Sequence, residues 1–310
     1  EEFAQKARAA AGLLPKSQED GETSYKVSEE VTVADHFEAA AERFVFPKVK
    51  CSHNFKEEPL FIHPLSSEKV DFPADFCKND SRLSAAISAV TGGVQSDDWK
   101  QKFFQYWQLW YYNALRTIPH LAFMPADSRI PDHSIWEHMA ITSALVPCVE
   151  GDKVKPELLL FQFSPVQEFI SQARSTRDLW SGSYLISWLM SAAMKAVSDE
   201  IGPDSIIFPS LQGNGIFAAQ NRELIYGAKW KNPDKSYDTT WDRVLEDHKS
   251  ASFPKGDWDK MAEWVMTPTL PNRFLAIVPK GRAEEFAKKA EKSLKEELKK
   301  IAESVWACLK

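Results

Sequence analysis

The short, almost wholly apolar run Leu158-Leu159-Leu160-Phe161-Gln162-Phe163 constrains the fold of this chain more than any other stretch. A run of this kind, without polar alternation, reads as a strand covered on both faces. Ile206-Ile207-Phe208 and Arg273-Phe274-Leu275-Ala276-Ile277-Val278 are two further strands. Gly213-Asn214-Gly215 marks a turn, beyond which Ile216–Ala218 is expected to pair. Helical periods run over 166–175 and 183–199, with a break expected near Trp180-Ser181-Gly182. Residues 220–268 are polar, Trp-dotted and irregular. The last long element is an amphipathic helix over 282–308, in which Phe286, Ala290, Leu294, Leu298, Ile301 and Val305 form one stripe. Glu residues interspersed among its lysines mark the opposite face as solvated rather than as an RNA-binding surface.

Upstream of Gly151 the texture is different. Lys16–Ser28 is polar and reads as a solvated loop. Val33, Phe37, Ala40, Ala41 and Phe44 predict a helix over Val33–Phe46, ended by Pro47. Residues 47–80 carry four prolines and no sustained period, with short extended pieces expected around Leu60–Ile62. Ser96–Arg116 is a helix capped by Ser96 or Asp97. Its stripe of Phe103, Phe104, Trp107, Trp110, Tyr111 and Leu115 suits one buried face better than a base-stacking platform. A proline-bounded loop over 125–133 leads to another buried helix, Ser134–Val146. With 310 residues, two domains are expected: a mainly helical region over 1–150, and an α+β domain over 151–310. The β–α–β–β–insert–β–α order of the second predicts a ferredoxin-like (palm/RRM-like) fold.

Composition narrows the function. Asp+Glu number 44 against 38 Lys+Arg, a net charge of −6. The chain therefore lacks the electrostatic term that dominates phosphate-backbone binding, although RNA could still be touched through a local patch or a larger particle. Cys51, Cys77, Cys148 and Cys308 include no CxxC pair, which disfavours a zinc ribbon or a disulfide framework and fits a reducing cytoplasm. No apolar run approaches the ~18 residues of a membrane span. There is no P-loop, GxGxxG or GxSxG. Two-metal catalysis needs convergent carboxylates, but the first strand offers Gln162 and no acid, so no catalytic residue is expected. His133 and His138 stand five apart, whereas two ligands on one helical face want a spacing of four, so they read as structural or capping. Asp35, near a helix start, is either a metal-binding acid or a first-turn acid favoured by the helix dipole. Ser181-Gly182-Ser183 permits close approach of a backbone or ligand, and helix-start amides there would suit an anion. The competing reading of that corner is simple helix packing.

The stretch Phe163–Ile170, with Arg174 and Asp178–Leu185, resembles the first palm domain of the large subunit of type III CRISPR effector complexes, most of all the III-B (Cmr) branch. Arg129–His138 and Pro268–Phe274 are supporting blocks in the same order. Ala34-Asp35-His36 with Ala41-Glu42-Arg43 resembles the tail of the family's N-terminal histidine–aspartate domain. The resemblance implies that residues 1–150 are the tail of a degenerate or truncated histidine–aspartate domain. It implies that 151–310 form the first palm, without its last strand. In such subunits two palms face each other and bind two ATP molecules between them. The second palm carries Gly-Gly-Asp-Asp and makes cyclic oligoadenylates when target RNA binds, and the N-terminal domain can cut single-stranded DNA. This chain has neither Gly-Gly-Asp-Asp nor a His-Asp dipeptide, and it has Gln162 and Pro165 where the III-A branch has Asp and Gly. Its opening at Glu1 without Met agrees with a fragment or one half of a split subunit. The implied cofactor is ATP, with Mg or Mn in the complete subunit. The implied partners are the other complex subunits, guide and target RNA through the complex, and the second palm, all in the cytoplasm. Ser164, Gln167, Ser181, Gly182 and Ser183 are the expected nucleotide contacts, with Arg174 and Arg177 as phosphate or partner contacts. Asp35 is expected to be a relic of a metal site completed by residues absent here. The alternative is a stand-alone α+β protein-interaction module without a nucleotide role.

Overall fold

The computed structural model describes residues 16–19, 22–25, 27–42, 60–62, 66, 68–71, 97–117, 119–124, 126, 133–227 and 263–310. The chain is α+β, dominated by helices with small antiparallel sheets, and divides into units Glu1–Val154 and Lys155–Lys310.

In the first unit, β1 (Lys16–Glu19) and β2 (Glu22–Tyr25) form an antiparallel hairpin. This corrects the loop expected over 16–28. Its Asp20-Gly21 dipeptide is a hairpin-turn signal that the polar composition overshadowed. Helix α1 (Glu29–Glu42) opens on Glu29 and Glu30, acids favoured by the helix dipole. The expected continuation over 43–46 lies outside the described residues. Strands β3 (Leu60–Ile62) and β4 (Lys69–Asp71) pair antiparallel. Helix α2 (Trp99–Thr117) is capped by Asp98 rather than Asp97: the Asp98 Oδ1 accepts from the Gln101 N–H at 2.8 Å, and the other expected cap, Ser96, lies outside the described residues. Phe104, Tyr106 and Trp110 are buried. Trp110 and Tyr111 also pack on Trp136, at centroid distances of 4.4 and 4.8 Å, so this stripe is core. Helix α3 (Ile135–Leu145) starts with a reciprocal capping box between Ser134 and Glu137. Helix α1 packs on α3 and on the short hairpin β5 (Val149–Glu150) and β6 (Lys153–Val154).

In the second unit the order is β7 (Pro156–Gln162), α4 (Val166–Ser171), α5 (Thr176–Ile201), β8 (Ile206–Phe208), α6 (Gly215–Gln220), α7 (Arg222–Tyr226), α8 (Glu263–Met266), β9 (Arg273–Pro279) and α9 (Ala283–Leu309). The sheet order is β7-β9-β8, with both outer strands antiparallel to β9, so β7 and β8 run parallel to each other. Helices α5 and α9 pack together and against the sheet. They bury Met190, Met194, Val197, Phe286, Ala290 and Leu294 with Phe274, Ala276 and Val278 of β9. Each large apolar side chain in that core contributes about 1.5–3 kcal/mol.

Three expectations need correction here. Strand β7 is not covered on both faces: Leu159 is 6% exposed, but Leu158 and Leu160 are 64% and 63% exposed. Among the described residues the helices cover only the Leu159 face. Ile216–Ala218 is helical rather than extended, because Asn214 acts as an N-cap and its Oδ1 accepts from the Phe217 N–H at 3.0 Å. The break expected near 180–182 is also absent. Helix α5 starts at Thr176, capped by the Ser175 hydroxyl, and runs on through Ser181, Gly182 and Ser183. Among the described residues no helix is long and apolar enough to cross a membrane.

Candidate functional site

Of the expected nucleotide residues, Ser164 and Gln167 follow the end of β7, whereas Ser181, Gly182 and Ser183 lie on α5. Phe163 donates its N–H to the Asn272 carbonyl at 2.8 Å, and Asn272 Nδ2 donates back to the Phe163 carbonyl at 3.0 Å. Two of the motif blocks singled out in the sequence thus clamp each other where β7 ends and β9 approaches. Ser164 follows that clamp and is exposed, as is Gln167 in the first turn of α4. Ser181 is exposed on α5, and Ser183 donates its hydroxyl to the Leu179 carbonyl at 2.9 Å. Gly182 faces α4. A methyl group placed on it would lie 3.3 Å from Phe169 Cε1 and 3.4 Å from Ile170 Cδ1. The amides of 181–183 lie beyond the first turn of α5 and are used within the helix, so the helix-start anion pocket expected from them is not there. Arg174 and Arg177 are exposed, and the Arg174 N–H donates to Asp178 at 3.2 Å. A third cation was missed: β9 places exposed Arg273 directly opposite Gln162 in the sheet register. Cross-strand pairing, invisible without the register, was the missing signal.

The second cluster lies in the first unit. Asp35 and Glu38 are three apart on α1 and therefore share a face. His138 sits one turn into α3, and His133 lies just before the capping residue Ser134. His138 Nε2 is 2.9 Å from Asp35 Oδ1, and His138 Nδ1 lies against Glu38 Oε2. His133 and His138 have ring centroids 6.3 Å apart. A five-residue spacing would set these two histidines on different faces only if both belonged to one helix. Helix α3 begins only at Ile135, so helical spacing does not govern them. Burial opposes a charge on His138, but hydrogen bonds and charge attraction from Asp35 and Glu38 outweigh it and push the imidazole up to about 10. Ligand atoms of Glu38, His133 and His138 all lie within 4.8 Å of one another. Imidazole and carboxylate donors of this kind fit a divalent ion of borderline softness. Glu38, 1% exposed, was not singled out in the sequence.

Two motif blocks read from the sequence thus meet at one strand end of the second unit, and Asp35 stands against His138 in the first. Residues 158–303 match the family described as CRISPR-associated protein Cmr2, N-terminal. The chain is a relative of the large subunits of type III-B (Cmr) CRISPR complexes, in their N-terminal part. It is 31% identical over 174 residues to the CRISPR system Cmr subunit Cmr2 of Pyrococcus furiosus, a match covering 56% of this chain and 15% of that protein. It is 27% identical over 259 residues to the CRISPR system CMR subunit Cmr2 of Saccharolobus solfataricus, covering 81% of this chain and 24% of the relative. The chain therefore spans a quarter or less of either relative.

Proposed function

We propose that this chain is part of the large subunit of a type III CRISPR RNA-guided antiviral complex, and that its second unit is a non-catalytic first palm. The observation that carries this is the sheet order β7-β9-β8, with α5 joining β7 to its parallel partner β8 and α9 following β9. This order supports reading the unit as a split β-α-β, ferredoxin-like domain. Its partners are a second palm, the other complex subunits, and guide and target RNA through the complex. One ATP is held at the β7 end by Ser164, Gln167 and Ser181, beside Gly182 and Ser183. Arg174, Arg177 and Arg273 supply the positive charge that screens its phosphates. Gln162 offers no charge to a Mg or Mn ion, so carboxylates for cyclic oligoadenylate synthesis come from the second palm.

The test is ATP titration of the two-palm subunit carrying Ser164→Ala, Arg273→Ala or Gly182→Trp. Ser164→Ala should weaken binding about fivefold, as expected for ~1 kcal/mol from one hydroxyl contact, and Gly182→Trp should weaken it far more. Unchanged affinity in all three, with the fold intact, rejects the site. A second reading is a protein-interaction module without a nucleotide, favoured by the exposed Leu158, Leu160 and Phe208 of the sheet. Absence of any ATP binding by the assembled subunit would select it.

A further inference from the structure

We propose that Asn272 is a positioning residue for a nucleotide at the end of β7, and that it acts through Phe163 to hold Ser164 in place. This rests on the ATP reading above, and the experiment separates its failure from the failure of that reading.

The segment 269–272 leads into β9 and is tied to three other elements by side-chain hydrogen bonds. Asn214, the cap of α6, donates from Nδ2 to Thr269 Oγ1 at 2.9 Å. The Ser187 hydroxyl of α5, only 2% exposed, donates to the Leu270 carbonyl at 2.8 Å. Asn272 Nδ2 donates to the Phe163 carbonyl at 3.0 Å. The segment therefore joins the two places that carry the expected nucleotide contacts: the end of β7, followed by Ser164, and α5 with Ser181.

The Asn272 bond differs from those of the sheet. Gln162 and Arg273 are the last pair in the β7–β9 register, and Phe163 and Asn272 follow them. Residues facing each other in an antiparallel ladder at such a position exchange two backbone bonds. Here the Phe163 N–H donates to the Asn272 carbonyl at 2.8 Å, but the return donor is the side-chain amide. Both backbone polar groups of Phe163 are thus satisfied where the sheet ends, and Ser164 is the first residue beyond the clamp. Leu270 is buried and bonded to Ser187, so the segment presenting Asn272 is itself held from the core side. A contact residue whose neighbour is locked in this way is presented in one geometry. The bond requires a short side chain with an N–H donor, which Asn has and Asp of the same shape lacks.

The experiment is a double-mutant cycle read by ATP titration of the two-palm subunit, with Ser164→Ala, Asn272→Ala and both together. Thermal melts check that each variant is folded. Each single change should weaken ATP binding about fivefold. If Asn272 acts through Ser164, the double variant should bind no more weakly than the weaker single one, whereas independent effects would multiply to about 25-fold. Asn272→Asp gives the same cycle if Asn272→Ala does not fold. Multiplying losses, or ATP affinity that falls in Ser164→Ala and is unchanged in Asn272→Ala, overturns this inference and leaves the ATP reading standing. ATP binding unaffected by Ser164→Ala overturns it as well, because there is then no Ser164 contact to position. No ATP binding by the unaltered subunit rejects the reading and this inference with it.

Discussion

Gly182→Ala separates helix packing from ligand approach at the α4–α5 corner. Gly182 lies inside α5, where Gly is about 1 kcal/mol worse than Ala. The added methyl would meet Phe169 Cε1 at 3.3 Å and Ile170 Cδ1 at 3.4 Å. Both are side-chain tips, and Phe169 is 47% exposed, so it can swing toward solvent. The 1–3 kcal/mol typical of overpacking a closed core therefore does not apply. The net expectation is a gain of about 1 kcal/mol for local opening of α5, equivalent to about fivefold slower exchange of its amides. Hydrogen–deuterium exchange of a peptide spanning 176–190 reads this without assuming that the two units unfold together. Faster exchange would refute the reasoning, because it would mean that α4 is locked against α5 and cannot give. ATP titration of the same variant in the two-palm subunit adds the functional half. Weaker binding alongside slower exchange places nucleotide against Gly182, whereas unchanged binding makes the corner a packing joint.

Ser134→Ala removes one side of the capping box that starts α3 and should cost about 1 kcal/mol, seen as faster exchange at 135–138; unchanged exchange would mean that the preceding loop fixes the helix start by itself. Burial pushes the Cys148 thiol up to about 11, whereas Cys308 is exposed. In a variant with Cys51→Ser and Cys77→Ser, iodoacetamide at neutral pH should therefore label Cys308 and spare Cys148, and equal labelling would contradict the burial. Glu200 is held below its ordinary range by the Lys289 hydrogen bond, which burial opposes, and by Arg282. A depressed carboxylate contributes stability that is present above the unfolded value of 4.5 and lost as pH falls through the lower folded value. The α5–α9 contact should thus hold from neutral pH to about 5 and loosen below 4.5; protection of α9 that stays flat down to about pH 3 would refute the link.

What the sequence made legible was what local periodicity governs. The strand Ile206–Phe208, the core face of α2 and the first half of the α9 stripe, Phe286, Ala290 and Leu294, follow from side chains along one element, whereas Leu298 and Val305 of that stripe are exposed. What it hid depends on partners distant in sequence. Leu158 and Leu159 are chemically alike, yet one is 64% and the other 6% exposed, because only the face under α5 and α9 is covered among the described residues. Gly213-Asn214-Gly215 is equally good chemistry for a turn into a strand and for a cap on a helix, and the Asn214 bond to Phe217 decides it. At the metal-type cluster, the resemblance pointed to Asp35 alone, because its partner His138 is 103 residues away in sequence. Glu38, three residues after Asp35, was the available local clue: two acids sharing the face of a helix, one of them destined for burial, call for a cation on the neighbouring element. Applying helical spacing to His133 and His138 suppressed that clue, since Ser134 ends the loop and starts the helix between them. A capping residue between two candidate ligands is thus a reason to drop the spacing rule, because it places one of them outside the helix whose geometry the rule assumes.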